Sequence, residues 1–373
     1  LIKAIAGKFP VEKIIFELPV DVLPGITRDF RHKVASWMIA EFGGDVNLAN
    51  VEWDEILFNQ NNEIRTEFEN GNFENAFELM HQELDKVWNE CFRVLKKGGI
   101  ACVNIGDATR TLNKNFRLFA SHSRIIQGCI NVGFQNLPNI IWRKQTNAPN
   151  KFMGSGMLPP GAYVTLEHEF IIIFRKGERR IFKTNEEKEN RNNSSYFWEE
   201  RNVWFSDLWN IKGTTQKIKD KDLRNRSAAY PFQIPYRLIN MFSVQNDTVL
   251  DPFLGTGTTT LASIASKRNS IGYDIDKKFE SLIIDNVIGT EDYINDIIGR
   301  RIISHKSFIE KRKETKGDDA FKYKNENYNF EVLTRQEQKI KIPFVEGIIK
   351  KDNIIHTMYS NDLINKPAIG KLF

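Results

Sequence analysis

The chain has 373 residues, of which 41% are hydrophobic and 12% aromatic, enough to bury a sizeable core in one large domain or two ordinary ones. A formal net charge of +5 and a pI of about 8.9 permit a nucleic-acid partner without demonstrating one. No run of 18 apolar residues occurs, and the N-terminus lacks the features of a signal peptide. We therefore expect no membrane contact and no secretion.

The three cysteines, Cys91, Cys102 and Cys129, are odd in number and have no C-x-x-C spacing, which favours a reducing, cytoplasmic setting. Cys91 and Cys102 fall on apolar faces and are expected in the core. The six histidines are scattered without metal-ligand spacing, so no metal site is predicted. His168 is interpreted as a strand residue.

Hydrophobic periodicity in the first half of the chain alternates between helices and strands. Apolar residues at spacings of three and four predict a helix over 73–95, and a strand over 100–106 follows it. A second helix is predicted over 117–134, and two strands over 139–144 and 167–177. A loop rich in Gly, Pro and Asn separates these two strands. Such alternation is typical of an α/β sheet.

Residues 177–226 change in character, because they are charged and rich in asparagine, with aromatic residues between the charges. The aromatic residues of this segment are Tyr196, Phe197, Trp198, Trp204, Phe205 and Trp209.

A second alternation follows this segment. Helix, strand, helix and strand are predicted, in that order, over 232–243, 248–253, 258–267 and 269–275. The pattern weakens from about residue 277, and residues 300–324 contain many Lys and Arg. We expect residues 277–373 to form an accessory C-terminal region.

Residues 251–260, DPFLGTGTTT, join the strand predicted over 248–253 to the helix after it. A strand that ends in glycines and opens into a helix lets the backbone approach a ligand at the carboxyl edge of a parallel sheet. Gly255 and Gly257 supply G-x-G, but Thr260 stands where the dinucleotide fingerprint has its third glycine, and the lysine of a phosphate-binding P-loop is absent. NAD and ATP are therefore disfavoured, and a plain tight turn is the alternative.

Two carboxylates narrow the chemistry of the ligand. Asp251 ends the strand, where it could meet a ligand amine. Asp274 lies 17 residues past Gly257 at the end of the next strand, where it could accept hydrogen bonds from both ribose hydroxyls. A ligand with an ammonium group and a ribose but no phosphate fits this pattern, and S-adenosylmethionine has those groups.

The segments DTVLDPFLGTGTT and NSIGYDID resemble the cofactor motifs of the amino-group DNA methyltransferases, which methylate N4 of cytosine or N6 of adenine. Further segments resemble other motifs of this family: RVLKKGGIACVNIGD, IIWRKQTNAPN, EHEFIIIFRKG and RSAAYPFQIPYRLI. The resemblance covers about residues 45–276, in the order of the permuted class whose cofactor motif follows the catalytic half. It implies an α/β, Rossmann-like methyltransferase sheet with helices on both faces over residues 1–276.

The resemblance also implies which residues bind the cofactor. The methionine part of S-adenosylmethionine would contact Asp251, Phe253, Gly255, Gly257, Thr258 and Thr259. Asp274 would hold the ribose, and Tyr230 and Pro231 would close the site from the other side. The alternative is an ordinary core position for Tyr230 and Phe253, and a solvated strand end for Asp274.

In this family a target-recognition insertion is expected between the catalytic and cofactor motifs, here at about residues 146–226. Its basic side chains would neutralise the phosphates of double-stranded DNA or contact base edges: Lys212, Lys217, Lys219, Arg224 and Arg226. A solvated, charged loop over a small hydrophobic cluster is the alternative. The residues do not reveal which bases are recognised.

The catalytic tetrapeptide of the family is absent. In relatives, Ser/Asp/Asn-Pro-Pro-Tyr/Phe at a strand end accepts hydrogens of the target amine and stacks on the flipped base. Here residues 46–49 are interpreted as that strand and 51–58, VEWDEILF, as the segment after the motif, but no Pro-Pro-Tyr stands near Ala49–Val51. Pro159 and Pro160 are followed by glycine and interpreted as loop residues. The catalytic residues are therefore unknown.

Two hypotheses explain this gap. Either a few residues are absent from the sequence around Ala49–Val51, which a start at Leu1 rather than Met favours, or the protein lacks the motif and binds cofactor without transferring methyl. Methylation at cytosine C5 is disfavoured in both cases, because it needs a cysteine thiolate in a Pro-Cys pair. The cysteines here follow Glu, Ala and Gly.

The resemblance favours cytosine N4 over adenine N6, because the segment VEWDEI resembles N4 enzymes. Such enzymes usually protect host DNA beside a cognate restriction endonuclease. The alternatives are an adenine-N6 enzyme, an RNA or small-molecule methyltransferase, and a non-catalytic DNA-binding module that retains the cofactor fold.

Overall fold

The computed structural model describes residues 11–17, 63–64, 66–112, 114–144, 153–213, 230–273, 278–351 and 354–360, with only the backbone for 11–17. The helices are α1 Phe73–Val94, α2 Ser121–Val132, α3 Asn185–Asn193, α4 Trp198–Trp204, α5 Gln233–Phe242, α6 Thr258–Ala265, α7 Lys278–Val287 and α8 Glu291–Lys316. Among the described residues, none of the helices is long and apolar enough to cross a membrane.

The strands of the first half are β1 Val11–Glu17, β2 Leu95–Ile105, β3 Ala108–Leu112, β4 Asn115–Phe119, β5 Gln135–Arg143, β6 Met153–Gly154, β7 Ala162–Tyr163 and β8 His168–Arg175. Those of the second half are β9 Leu208–Asn210, β10 Thr248–Asp251, β11 Asn269–Gly272, β12 Tyr323–Lys324, β13 Glu331–Val332, β14 Phe344–Lys351 and β15 Ile354–Ser360. Short 3₁₀ turns lie at Asp318–Ala320 and Arg335–Glu337.

Seven strands form the main sheet in the order β11-β10-β1-β2-β8-β5-β9. The strands β11, β10, β1 and β2 are parallel neighbours, and β8 runs antiparallel to both β2 and β5. The carboxyl ends of β10, β1, β2 and β5 therefore meet at one edge, which we call the carboxyl edge. This is the predicted Rossmann-like arrangement.

Helices cover both faces of the sheet. The strand β10 shows this clearly, because Val249 packs into a cluster with α5 and α6, while Leu250 packs into a second cluster with α1 and α2. The central strands are buried on both sides, which explains the nearly continuous apolar runs of β2 and β8.

The first turn of the predicted helix 117–134 is a strand instead. Residues 115–119 form β4, which pairs antiparallel with β3, and α2 begins only at Ser121. Phe119 is buried and Leu118 is exposed, a period of two that favours a strand. The carboxylate of Asp107 accepts the backbone N–H of His122, which fixes the start of the helix.

The C-terminal region expected to be an accessory is part of the same core in its described portion. Ile294, Ile298, Ile302 and Ile309 of α8 pack into the cluster that contains Val249 of β10. This apolar stripe is narrow and surrounded by Lys, Arg and Glu, so periodicity in the sequence did not reveal a 26-residue helix.

The predicted recognition range, 146–226, is not one continuous insertion. It contains β8 and β9, which are both strands of the main sheet. Its aromatic residues also serve the core, because Phe197 and Trp204 are buried and the Phe197 ring stacks on His305 of α8 at 3.9 Å. The segment 177–226 therefore contributes side chains to the core.

The strand β1 lies between β10 and β2 in the sheet. Its residue Ile14 is in register with Leu250 of β10 on one side and with Ala101 of β2 on the other. Sequence analysis expected a catalytic strand at 46–49, which lies outside the described residues. The carboxyl end of β1, at Glu17, is thus the neighbour of the carboxyl end of β10.

Candidate cofactor site

The predicted glycine turn lies at the carboxyl edge, between β10 and α6. Asp251 is 1% exposed, and its Oδ1 accepts the backbone N–H of Phe253 at 2.9 Å. The N–H of Tyr273 donates to the carbonyl of Asp251 at 2.9 Å, and the N–H of Leu254 donates to the carbonyl of Tyr273 at 2.8 Å. The turn is therefore fastened to the ends of both β10 and β11.

Both glycines of the turn adopt left-handed backbone conformations, with φ of 53° at Gly255 and 82° at Gly257. A Cβ at Gly257 would lie 3.0 Å from Ile283 of α7. A Cβ at Gly255 would meet nothing closer than a backbone oxygen at 3.9 Å. Gly255 therefore faces open space, where a ligand can approach the backbone closely.

The N-terminus of α6 starts from this turn, because Gly257 is its N-cap. Among the described residues no side chain caps the helix there, and the first N–H groups of an α-helix have no intrahelical partner. Free N–H groups and the helix dipole suit a ligand carboxylate, such as that of an amino acid.

Tyr230, predicted to close the site, contacts another predicted residue. Its hydroxyl shares a hydrogen bond of 2.5 Å with Oγ1 of Thr259, and both side chains are buried. Ser263 donates to the carbonyl of Thr259 at 2.8 Å, which fixes the first turn of α6. The structure thus ties the segment at Tyr230 and Pro231 to the helix that follows the glycine turn.

The remaining predicted residues divide into described and undescribed ones. Phe253 is half-buried against the α1–α2 cluster, Pro231 is buried and Thr258 is half-buried at the start of α6. Tyr273 immediately precedes Asp274, and burial raises its pKa to about 12. Lys212 is exposed two residues after β9. The predicted residues outside the described parts are Asp274, Lys217, Lys219, Arg224, Arg226 and Ala49–Val51.

A buried polar network near the carboxyl ends of β2 and β5 was not predicted. Asn104 donates to Oε2 of Glu169 at 2.8 Å, and Nζ of Lys144 pairs with Oε1 of the same carboxylate at 2.9 Å. Close by, Asp107 holds Nδ1 of His122 at 2.7 Å. The sequence did contain a signal for this network: a polar residue stands at an inward position of an otherwise apolar strand, Asn104 in VNIGD and Glu169 in EHEF.

The cysteines agree with the expectation that C5 chemistry is absent. All three are buried and free of disulfides. Burial raises the pKa of the Cys91 and Cys129 thiols well above the usual range, so neither is a ready thiolate. Within the described parts of the chain no cluster of His, Cys, Asp or Glu could hold a metal ion.

The sheet order and the glycine turn at its carboxyl edge define the class of fold, a Rossmann-like α/β sheet with an open turn after β10. A family model of the N6 and N4 DNA methylases matches residues 50–285, and the chain belongs to this family. The resemblance stated from the sequence is confirmed at the level of the family, which includes both N6 and N4 enzymes.

Individual relatives agree. Over 323 residues the chain is 51% identical to the Type II methyltransferase M.MthZI of Methanothermobacter thermautotrophicus, an alignment that covers 86% of this chain and 89% of the relative. It is 50% identical over 246 residues to the Type II methyltransferase M.MjaI of Methanocaldococcus jannaschii, which covers 63% and 80% of the two chains.

A solved structure shares the fold. A DNA modification methylase of Thermus thermophilus, in complex with S-adenosyl-L-methionine, is 25% identical, with a TM-score of 0.51, over 77% of this chain and 91% of the other. The cofactor of the present chain is S-adenosyl-L-methionine, as predicted, and the protein is a DNA methyltransferase of the amino-group family. The open Gly255, the uncapped helix and the buried Asp251 fit that molecule.

Proposed function

We propose that the protein transfers a methyl group from S-adenosyl-L-methionine to the exocyclic N4 amine of cytosine in duplex DNA, as the modification part of a restriction–modification system. The glycine turn supports this proposal most strongly, because it offers a fixed, open cradle beside the carboxyl end of β1. Strong identity to two Type II methyltransferases supports the biological setting. The preference for N4 rests on residues 51–56, VEWDEI.

The proposed cofactor contacts follow from the geometry of the turn. The backbone at Gly255 and Gly257 would contact the methionine part, and the first N–H groups of α6 would hold its carboxylate. Asp251 keeps the turn in shape through Phe253 and adds a negative charge near the cofactor's cationic end. Thr258, Thr259, Tyr230 and Pro231 would complete the methionine side, and Asp274 the ribose.

The chemistry needs positioning more than acid–base power. An exocyclic amine is a poor nucleophile, because its lone pair is delocalised into the ring of the base. Bound S-adenosyl-L-methionine supplies an electrophilic methyl group on a sulfonium. The chain has to present that methyl group at the carboxyl edge, exclude water, and offer acceptors for the amine hydrogens of a base turned out of the duplex.

The acceptors are expected from the tetrapeptide that relatives place at a strand end, near the carboxyl end of β1. The two hypotheses for residues 49–51 therefore predict different proteins, one a complete enzyme and the other a cofactor-binding module. Sequencing the encoding gene across Ala49–Val51 decides between them, since an uninterrupted codon run there would exclude missing residues.

Double-stranded DNA is the proposed substrate, with Lys212, Lys217, Lys219, Arg224 and Arg226 as proposed phosphate or base contacts, and a restriction endonuclease for the same sequence as the proposed partner. Of these five residues only Lys212 lies in the described parts of the chain, and its exposed side chain is accessible to DNA.

The deciding experiment is incubation with tritiated S-adenosyl-L-methionine and unmethylated duplex DNA, followed by hydrolysis and identification of the labelled base. Label on N4-methylcytosine is expected. Label on N6-methyladenine would support the adenine alternative. Cofactor binding without transfer would support the non-catalytic alternative.

A further inference from the structure

Two hairpins extend from the carboxyl edge on the catalytic half of the sheet. The first, β3–β4, follows the carboxyl end of β2 directly. The second, β6–β7, lies in the chain between the carboxyl end of β5 and the start of β8, where His168 pairs with Arg143. The rings of Phe116 and Tyr163 stack at 4.2 Å with an interplanar angle of 12°, so the two hairpins contact each other.

The tip of the β6–β7 hairpin has a defined shape. Ser155 N–H donates to the carbonyl of Gly161 at 2.9 Å, and Leu158 N–H donates to the carbonyl of Ser155 at 3.3 Å. Gly154 has a φ of 71°, and a Cβ there would lie 2.1 Å from the Gly161 carbonyl oxygen. Only glycine fits at this close approach, which fixes the direction of the tip.

This ordered tip carries large apolar side chains in water. Met157 is 84% exposed, Leu158 71% and Val164 84%, and Leu118 on the neighbouring hairpin is 51% exposed. Several large apolar side chains exposed on two hairpins that contact each other are typical of a surface that meets a partner.

The charge around the patch indicates the partner. Between Asp107 and Glu167 the chain contains no Asp or Glu. The same stretch contains the basic residues Arg110, Lys114, Arg117, Arg124, Arg143, Lys144 and Lys151.

Four of these basic residues are paired with carboxylates from outside the stretch. Arg117 pairs with Glu74, and Arg124 pairs with Glu78 and Asp85. Arg143 pairs with Glu167, and Lys144 with Glu169.

The hairpins themselves therefore have no negative charge of their own, and Lys114 is exposed in the turn of β3–β4. The cationic part of such a surface suits the phosphates of a nucleic acid, and the apolar part suits bases that are partly unstacked.

We propose that the two hairpins together form a surface that contacts duplex DNA around the target base, with Met157 and Leu158 against the space left by the extruded base. Apolar side chains serve this purpose in other DNA-bending proteins, because they replace the lost base stacking. The inference rests on the proposed function, since it takes DNA as the substrate. It assigns the contact to a different part of the chain from the lysines and arginines at 212–226.

The exposed methionines allow a direct test with an internal control. Met157 lies at the proposed contact, and Met358, 48% exposed on β15, lies on a hairpin that packs against α6 and α8. The full chain with S-adenosyl-L-homocysteine is treated with hydrogen peroxide, with and without PCR-amplified, unmethylated duplex DNA of mixed sequence. Sulfoxide formation at each methionine is followed by mass spectrometry.

The proposal expects DNA to slow oxidation of Met157 several-fold and to leave Met358 unchanged. Equal slowing at both residues would indicate consumption of peroxide by the DNA and would overturn it. Unchanged oxidation of Met157 on protein shown by sedimentation to be DNA-bound would overturn it too. Slowing that depends on protein concentration without DNA would assign the patch to a second copy of the chain.

A matched pair of lysine variants tests the cationic part. Lys114→Gln should weaken binding of a fluorescein-labelled duplex and lower the slope of log affinity against log salt by about 1. Lys350→Gln, exposed on β14, should change neither. Equal effects of the two variants would contradict the proposal. If the unmodified protein binds no duplex at all, the proposed function fails as well, so the two failures are distinguishable.

Discussion

The glycine turn and the contact between α4 and α8 both contain groups that suggest ligand binding in the sequence, but their side chains are used differently. At the turn, Gly255 faces open space and the N-terminus of α6 has no side-chain cap. At the contact, Arg301 forms two hydrogen bonds to Glu200 at 2.6 and 2.8 Å. His305 is fully buried between Oε1 of Glu199 and the carbonyl of Glu331.

The difference shows why composition is a poor guide to a binding surface. The segment 177–226 is charged and the range 300–324 is rich in Lys and Arg, yet Phe197 and Trp204 contact His305 and Arg301 inside the core. Open geometry distinguishes a ligand site from a structural cluster, since both can contain the same residue types.

The largest expected effect concerns the α4–α8 contact. Arg301→Met should lower the free energy of unfolding by about 3–5 kcal/mol, because it leaves the buried Glu200 carboxylate without its cationic partner and with only the backbone N–H of Phe197 among the described contacts. Urea denaturation measures this change. The double variant Arg301→Met with Glu200→Gln should recover most of the loss. Weakened cofactor binding in the folded double variant would contradict the view that the α4–α8 contact is structural and the glycine turn is the ligand site.

A second prediction compares two buried histidines. His305 has an acceptor at each ring nitrogen, whereas within the described part of the chain neither ring nitrogen of the buried His81 has a hydrogen-bond partner. Burial, and then the charge of Arg124 against the smaller opposing effect of Glu78, lowers the pKa of His81 to about 3. The unfolded chain therefore binds a proton that the folded chain does not, and stability is lost as the pH falls below about 6.5.

Between pH 7 and pH 5 this histidine should remove up to about 2 kcal/mol of stability. His81→Phe should reduce that pH dependence relative to the unmodified protein. Denaturant titrations at the two pH values give the comparison. An unchanged pH slope in His81→Phe would show that other groups cause it.

A smaller effect is expected at the cofactor site itself. Tyr230→Phe removes the hydrogen bond to Thr259 and should weaken S-adenosyl-L-methionine binding by about 1 kcal/mol, or roughly fivefold. Tyr328→Phe is the matched control, because its hydroxyl bonds to the backbone of Ile342 in the C-terminal region. Calorimetry should find the cofactor affinity of Tyr328→Phe unchanged. Equal losses in the two variants would refute a local role for Tyr230.

The sheet and the glycine turn could be predicted because their residues obey local rules. The strand before Asp251, the G-x-G and the helix after it are adjacent in sequence, and the structure keeps them adjacent in space. The contact of Tyr230 with Thr259 could be anticipated only through the family resemblance, since the two residues are 29 positions apart in the chain.

Other parts could not be predicted, because they depend on distant contacts. The role of α8 in the core follows from its packing against α6 and β14, which its charged sequence does not indicate. From the sequence alone, the aromatic residues near 200 look like a surface cluster. In the structure α8 covers Phe197 and Trp204, which are buried. The assignment of Asp274 and of the basic residues from 217 to 226 stays a prediction, because they lie outside the described residues.

The central claim, that the glycine turn binds the cofactor, is tested most directly by calorimetric titration of S-adenosyl-L-methionine into two glycine variants. Gly255 and Gly177 both have left-handed backbones, with φ of 53° and 66°, and a Cβ at either clashes with nothing. Valine imposes a comparable backbone strain at each position, but only position 255 faces the proposed ligand. Gly255→Val should bind at least about tenfold more weakly than Gly177→Val. Equal cofactor affinity in the two folded variants would contradict the account.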